Sequence, residues 1–153
     1  MSQIASFATN RDILDKGLYL CRIDGDILTY DIRMKKPNGG DYLTIAELHT
    51  LEHLFVAYTQ NYSLIRNVIY VGPMGCRTGF YLLLRDNVSR QDAVDLVRKA
   101  FQFITRFDGE IPGSKRWECG NYLDHDLNGA KNIAADMLKV LKYWTVDDLK
   151  YKE

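Results

Sequence analysis

The chain has 153 residues, of which 46% are hydrophobic and 26% are charged, a composition typical of a globular protein with one hydrophobic core. Twenty basic residues balance twenty acidic ones, which argues against a nucleic-acid or anionic-membrane partner. The N-terminus lacks a signal-peptide pattern, and no stretch approaches the roughly 18–20 apolar residues of a membrane span. The three cysteines are an odd number and far apart. We therefore expect one domain over residues 1–153, with reduced thiols, in the cytoplasm.

The pattern of apolar residues predicts strands and helices without a regular βαβ alternation. Alternation predicts an antiparallel hairpin over residues 18–34. A helix is expected from the N-cap Thr44, with Glu47 as its capping-box partner, to about Tyr62. The remaining predicted elements are strands at 68–71 and 80–84, a helix from 89 or 90 with an apolar face to 104, a helix from 128 to about 144, and a short turn within 146–151. This order favours a layered α+β fold.

The first predicted helix carries an H-x-x-E-H pattern formed by His49, Glu52 and His53. Successive helical residues are rotated by about 100°, so the two imidazoles lie on one face, one turn apart. Two imidazoles in this arrangement can bind one metal ion, and the adjacent carboxylate can transfer protons. Histidines at this spacing are also found in cores and on surfaces without a metal, so the pattern alone leaves both interpretations open.

A catalytic metal site built on such a helix needs a third protein ligand from elsewhere in the chain and leaves one coordination position open for substrate or water. Cys119 is the best candidate by residue type, because thiolate binds divalent metals strongly. His125 and Glu118 lie in the same polar segment and remain alternatives.

Cys76 has different surroundings. It lies in a glycine-rich loop over residues 72–79 and is followed by Arg77, so the backbone can approach a ligand closely and a positive charge favours the reactive thiolate. The alternative is a buried structural cysteine beside a strand. Cys21 alternates within a predicted strand, and we interpret it as a packing residue.

Three segments together resemble the S-ribosylhomocysteine lyase (LuxS) family, in order and at the spacing of that family. They are the H-x-x-E-H segment at 49–53, the segment Gly-Pro-Met-Gly-Cys-Arg-Thr-Gly-Phe-Tyr-Leu at 72–82 and the segment Glu-Cys-Gly-Asn-Tyr at 118–122, with further similarity at 6–7, 30–33 and 37–38. The resemblance spans nearly the whole chain. Three separate motifs in agreement are far more specific than H-x-x-E-H alone.

The resemblance implies a lyase that isomerises S-ribosylhomocysteine and then eliminates homocysteine. The second product, 4,5-dihydroxy-2,3-pentanedione, is the precursor of the quorum-sensing signal autoinducer-2, and the substrate is a by-product of the methyl cycle. The resemblance also implies one divalent metal ion per subunit, bound by His49, His53 and Cys119. In the family this ion is Fe(II), often replaced by Zn(II) or Co(II) in purified material. Glu52 and Cys76 would form the acid/base pair.

The family fold is an α+β sandwich, similar to that of metallopeptidases, in which helices pack on an antiparallel sheet. Its members are homodimers with both active sites at the subunit interface. Ser6, Phe7 and Arg33 would help to hold the substrate. Two positions of the family's substrate pocket differ in this chain: Arg11 stands where many members have a histidine, and Tyr70 where many have an acidic residue. Arg11 is therefore a fourth candidate for substrate binding.

Two alternative functions are compatible with part of this pattern. An inverted H-x-x-E-H zinc peptidase would use Glu52 to activate a water and a carboxylate as its third ligand, although the small single domain and the Cys76 loop count against it. A non-catalytic member of the fold would be a metal-stabilised dimer that kept the site but lost turnover, with Arg11 and Tyr70 as the relevant changes.

Overall fold

A computed structural model describes residues 9–152 of the chain. Its elements are the strands β1 (Gly17–Asp24), β2 (Ile27–Arg33), β3 (Val68–Pro73) and β4 (Gly79–Arg85), the helices α1 (Ile45–Gln60), α2 (Arg90–Arg106) and α3 (Leu127–Val140), and short 3-10 turns at Ile65–Asn67 and Val146–Leu149. The strands form one antiparallel sheet in the order β1-β2-β4-β3. This architecture confirms the expected α+β class. None of the helices in the described range is both long and apolar enough to cross a membrane.

The hydrophobic core lies between one face of the sheet and the helices. Alternate side chains of a strand point to the same face, and the fully buried hydrophobic residues of β2 and β4 follow this period. They are Tyr30 and Ile32 on β2 and Phe80, Leu82 and Leu84 on β4. These residues form one core cluster with buried side chains of α1, α2 and α3, and the three helices pack against one another. The predicted α2 face, Ala93, Leu96, Val97, Ala100, Phe101 and Ile104, is buried throughout.

Helix α1 begins as the sequence predicts. The Thr44 hydroxyl accepts a hydrogen bond from the Glu47 amide at 3.1 Å, and the Glu47 carboxylate accepts one from the Thr44 amide at 2.8 Å. This reciprocal capping box satisfies two amides that an uncapped helix would leave without partners. The helix then ends at Gln60, with Asn61 as its C-cap.

The predicted extension of the third helix to residue 144 is wrong. Helix α3 ends at Val140, with Leu141 as its C-cap. The reason lies in α2: the Arg98 guanidinium donates to the carbonyl of Leu141 at 2.9 Å and also to the carbonyl of Trp144. These bonds provide partners for two carbonyl groups at and beyond the end of α3, which have no partner within the helix.

The turn between β3 and β4 is held against the end of β2. The amides of Met34 and Lys35 both donate to the Thr78 carbonyl, at 2.8 and 3.0 Å. Gly79 is required at the start of β4, because a Cβ there would lie 2.3 Å from the carbonyl oxygen of Ile32. This close approach brings the loop that contains Cys76 next to the last residue of β2, Arg33.

Candidate active site

Three donor atoms predicted from the sequence converge at the exposed side of α1. The Nε2 atoms of His49 and His53 lie 3.1 Å apart, and the Cys119 Sγ lies 3.3 Å from the first and 3.9 Å from the second. A tetrahedral ion with metal–nitrogen bonds near 2.05 Å and a metal–sulfur bond near 2.3 Å separates its ligand atoms by about 3.3–3.6 Å. The three observed separations are close to this range.

The orientation of the two imidazole rings is fixed by backbone carbonyl groups. His49 Nδ1 donates to the carbonyl oxygen of Asp124 at 2.8 Å, and His53 Nδ1 donates to that of Pro112 at 2.9 Å. A carbonyl only accepts hydrogen bonds, so each Nδ1 carries the proton and each Nε2 presents a lone pair. Two lone pairs 3.1 Å apart repel one another unless a cation lies between them. The donor set therefore fits a metal ion, and each of the two histidines donates its other ring N–H to a carbonyl group, as metal-bound histidines usually do.

His125 adds a third imidazole and a fourth donor residue to this group. Its ring stacks on His49 with centroids 4.1 Å apart, and its candidate ligand atom lies within 4.8 Å of those of His49, His53 and Cys119. The Thr50 hydroxyl accepts from the Asp126 amide, which leaves its proton free for His125 Nδ1 at 2.9 Å. Burial lowers the pKa of His125, and the nearby His49 and His53 lower it further.

The sequence left Cys119, His125 and Glu118 open as third-ligand candidates. The structure brings Cys119 and His125 into the donor group with His49 and His53, whereas Glu118 is not part of it within residues 9–152. The Glu118 carboxylate instead accepts a hydrogen bond from the Lys115 amide at 3.2 Å.

Glu52 lines a cavity of about 610 Å³, here called the Glu52 cavity, together with His53, Tyr70 and Glu118. The carboxylate is thus placed on the same open surface as one predicted metal ligand. Tyr70 folds over Gly72, where a Cβ would lie 2.0 Å from the Tyr70 hydroxyl. The Tyr70 phenol therefore lies against this cavity.

Cys76 lies in a second cavity of about 680 Å³, here called the Cys76 cavity. Arg11 and Arg33 also line it, with Tyr42 and Tyr81. Among residues 9–152 the two cavities share no lining residue, so this part of one chain does not bring Cys76 into the same cavity as Glu52. Of the four predicted substrate-binding residues, the structure places two, Arg11 and Arg33, in the Cys76 cavity. The other two, at positions 6 and 7, lie outside the described residues.

The exposed Cys76 side chain is surrounded by hydrogen-bond donors. Its Sγ lies 3.0 Å from the Thr78 hydroxyl and 3.9 Å from Arg33 Nη1. Arg33 Nη1 also donates to the Thr78 hydroxyl oxygen at 2.8 Å, which leaves the Thr78 proton free to point at the sulfur. Burial by itself would lower the pKa of Arg33, but the Asp31 carboxylate outweighs this effect and raises it. Arg33 is therefore a permanent cation beside the sulfur, and both Arg33 and Thr78 can donate a hydrogen bond to it.

Sequence reasoning missed the groups that orient these side chains. Thr50 and Thr78 are ordinary threonines inside longer motifs, and nothing in their residue type indicates a role. The carbonyl groups of Pro112 and Asp124 leave no sequence signal, because every residue has one. Only Gly113 carries a hint, since its φ of 72° belongs to the left-handed region that favours glycine.

Comparison with known proteins agrees with this geometry. Residues 4–147 match the family model described as S-ribosylhomocysteinase (LuxS). The chain is 41% identical over 158 residues to the S-ribosylhomocysteine lyase of Clostridium acetobutylicum, covering all of both chains. It is 42% identical over 157 residues to that of Phocaeicola vulgatus, covering 99% of this chain and 98% of the relative, and 41% identical to that of Finegoldia magna over the full length of both. This chain belongs to the S-ribosylhomocysteinase (LuxS) family.

Proposed function

We propose that this protein is an S-ribosylhomocysteine lyase, which converts S-ribosylhomocysteine into homocysteine and 4,5-dihydroxy-2,3-pentanedione. The observation that carries the proposal is the convergence of His49, His53 and Cys119 in a chain that aligns over its full length with relatives of that name. The second product would make the protein a source of the autoinducer-2 precursor.

His49, His53 and Cys119 would hold one divalent metal ion per subunit. Fe(II) is our candidate for the native ion, with Zn(II) or Co(II) as substitutes, because two imidazoles and one thiolate suit all three. When bound, the ion would act as a Lewis acid towards the sugar oxygens of the substrate. His125 lies beside these ligands, with its Nδ1 already hydrogen-bonded to Thr50.

The chemistry of the substrate requires two proton-transfer groups. Its thioether is at C5 of the ribose, and elimination needs a carbonyl beside the carbon that loses a proton. The open-chain carbonyl must therefore move from C1 to C2 and then to C3, by two shifts through enediolates. In each shift one proton leaves carbon and another returns to its neighbour, while protons exchange on the oxygens. Cys76 as thiolate and Glu52 as carboxylate are the groups that we assign to these transfers.

Elimination completes the reaction once the carbonyl is at C3. A base removes the C4 proton, the C4–C5 double bond forms, and the C5–S bond breaks with its electron pair on sulfur. The homocysteine thiolate leaves and takes up a proton, and the enol product tautomerises to the diketone. The atoms of the substrate are fully divided between the two products, so the reaction needs neither a hydride acceptor nor a nucleotide cofactor.

The surroundings of Cys76 and Glu52 suit these roles. Thr78 and Arg33 both direct donors at the Cys76 sulfur, which stabilises the thiolate that a proton acceptor needs. Arg33 and Arg11 line the same cavity, and a guanidinium is a good partner for the carboxylate of the homocysteine moiety. We assign Ser6 and Phe7 to substrate binding on the family resemblance alone.

A homodimer would bring the two cavities together. Glu52 and Cys76 line separate cavities of one chain, so a complete acid/base pair requires a second copy that places its Cys76 cavity against the Glu52 cavity. Large apolar side chains near the metal ligands are exposed, among them Tyr70 at 54%, Trp117 at 80% and Leu123 at 78%. Apolar surface of this kind is typical of protein interfaces. We therefore propose a dimeric, metallopeptidase-like sandwich, and three unpaired cysteines suit the reducing cytoplasm.

The proposal is tested by measuring free thiol released from S-ribosylhomocysteine by anaerobically prepared, iron- or cobalt-loaded protein. We expect release by the native chain and none by Cys76→Ala or Glu52→Gln. Mixing these two inactive variants tests the dimer: one of the two sites in each mixed dimer would carry an intact pair, so activity should return. Peptide cleavage that depends on Glu52 but not on Cys76 would instead support the peptidase. Absence of both activities would support a non-catalytic member.

A further inference from the structure

The C-terminal segment reaches back to the buried end of the sheet through Tyr151, which lies beyond residues 4–147 that match the family model. The Tyr151 hydroxyl donates to Asp31 Oδ2 at 2.7 Å, across 120 residues of sequence. Its ring stacks on Tyr19 with centroids 5.0 Å apart. The segment is therefore fixed in place by both a hydrogen bond and an aromatic contact.

Asp31 and Arg33 form a buried ion pair with an unusual geometry. Arg33 Nη2 donates to Asp31 Oδ2 at 2.7 Å, and both side chains are at most 3% exposed. Asp31 Oδ1 and Arg33 Nε have no hydrogen-bond partner among the described residues. Arginine and carboxylate groups usually pair through two parallel bonds. Here Tyr151 and Arg33 share one oxygen, and the second bond is not made.

The Arg33 guanidinium is also linked to Cys76 through the Thr78 hydroxyl. Arg33 Nη1 donates to the Thr78 hydroxyl at 2.8 Å, and the Thr78 hydroxyl lies 3.0 Å from the Cys76 Sγ. Tyr151 and Arg33 thus both donate to Asp31, Arg33 also donates to Thr78, and the Thr78 proton is left for the sulfur. Every bond in this series is consistent with a thiolate at its end.

We propose that Tyr151 is a positioning residue for Cys76: by occupying Asp31 Oδ2, it holds the Asp31–Arg33 pair in the single-bonded geometry that leaves Arg33 Nη1 directed at Thr78 and Cys76. The consequence for catalysis rests on the proposed function, whereas the effect on Cys76 reactivity does not. Without the Tyr151 hydroxyl, the carboxylate turns to Arg33 Nε, forms the usual two-bond pair and draws the guanidinium away from Thr78.

Tyr151 keeps its proton under all ordinary conditions, as a donor must. Burial raises the pKa of Tyr151 far above its usual value, and the adjacent Asp31 carboxylate raises it further. The other titratable groups around the series are Tyr19 and Cys21 near Asp31, and Arg11, Tyr42, Arg77 and Tyr81 beside Cys76. Only Tyr151 and Arg33 among the described residues donate a hydrogen bond to the Asp31 carboxylate.

The test is the rate at which iodoacetamide alkylates Cys76 in the metal-loaded, substrate-free protein, followed for each cysteine separately by peptide mass spectrometry. We expect Tyr151→Phe to slow alkylation of Cys76 roughly fivefold, the effect of losing part of one hydrogen bond to a charged group. Tyr143→Phe is the matched control, because Tyr143 is 81% exposed in the same C-terminal region and should leave the rate unchanged. General loosening of the fold would expose thiols and accelerate alkylation, so a slower rate restricted to Cys76 identifies positioning.

A double variant tests whether Tyr151 acts on Cys76 through Thr78. Thr78→Val removes the hydroxyl between Arg33 and Cys76, so Tyr151→Phe should change the alkylation rate less than twofold when Thr78 is already valine. An unchanged or faster rate in the single variant Tyr151→Phe would overturn the proposal, and so would a full fivefold loss in the Thr78→Val background. The assay needs no turnover, so a protein that releases no homocysteine but shows the expected rates would contradict the proposed function alone.

Discussion

Gly113 offers a specific test of how the loop after Pro112 supports the metal site. Gly113 has a φ of 72°, and a Cβ there would lie 3.2 Å from His53 Nδ1. Favourable contacts with a carbon atom begin near 3.5 Å, so Gly113→Ala forces the His53 ring or the Pro112 carbonyl to move by a few tenths of an ångström. Metal–ligand distances tolerate only about 0.2 Å. We therefore expect the variant to bind metal about 10- to 100-fold more weakly, the effect typical of changes to groups that hydrogen-bond to a metal ligand.

The free energy of unfolding that Gly113→Ala loses has two parts, which can be measured separately. A left-handed backbone costs an L-residue roughly 1–2 kcal/mol, and this cost applies with or without metal. A 10- to 100-fold weaker affinity removes about 1.4–2.7 kcal/mol more when metal is in excess. Gly109→Ala is the matched control, because Gly109 has a φ of 99° but no atom within 4 Å of its Cβ position. It should show the backbone cost alone.

The assay is a Co(II) titration of each variant against a competing chelator, with urea unfolding in the presence and absence of Co(II). The expected result is a lower Co(II) affinity in Gly113→Ala only, with both variants destabilised to a similar degree when the metal is removed. Equal Co(II) affinities in the two variants would refute the inference that this loop sets the position of His53.

Further predictions follow from single groups. Cys119→Ala should lose the metal, whereas Cys76→Ala should retain it; metal analysis of the purified variants checks this, and the opposite pattern would exchange the two cysteine roles. Thr44→Ala should lower the free energy of unfolding by about 1 kcal/mol, measured by urea titration, and an unchanged value would mean that the capping box contributes nothing. Burial, followed by the Asp31 charge, raises the pKa of Tyr19 to about 12. The neutral phenol therefore stabilises the fold fully below about pH 10, and this contribution, about 2–3 kcal/mol, is lost between pH 10 and 12. The free energy of unfolding of Tyr19→Phe should therefore fall by about 2–3 kcal/mol less than that of the native chain between pH 10 and 12, as measured by urea unfolding at each pH. An equally steep fall in both proteins would contradict the raised pKa of Tyr19.

The sequence predicted the structural features that depend on residues close together in the chain. The capping box of Thr44 and Glu47 and the one-turn spacing of His49 and His53 depend on residues within four positions of each other, and the structure has both. The family and its lyase activity were predicted from three separated motifs and are confirmed by the full-length relatives. The end of α3 was not predictable in this way, because it depends on Arg98, more than 40 residues earlier.

Long-range contacts explain the rest of what the sequence did not reveal. Cys119 joins His49 across 70 residues, and only its residue type and the family resemblance indicated that it would. Residue type favoured Cys119 over His125 as the third ligand, and the structure places both beside His49. Tyr151 meets Asp31 across 120 residues, a distance at which hydrophobic periodicity carries no information.

The most direct test of the central claim is the stoichiometry of products formed from S-ribosylhomocysteine by the metal-loaded protein under anaerobic conditions. The account predicts that homocysteine, measured as free thiol, and 4,5-dihydroxy-2,3-pentanedione, trapped as a quinoxaline with an aromatic diamine, appear in equal amounts. Neither product should appear in the presence of excess chelator. Substrate that remains intact with either iron or cobalt bound would contradict the account.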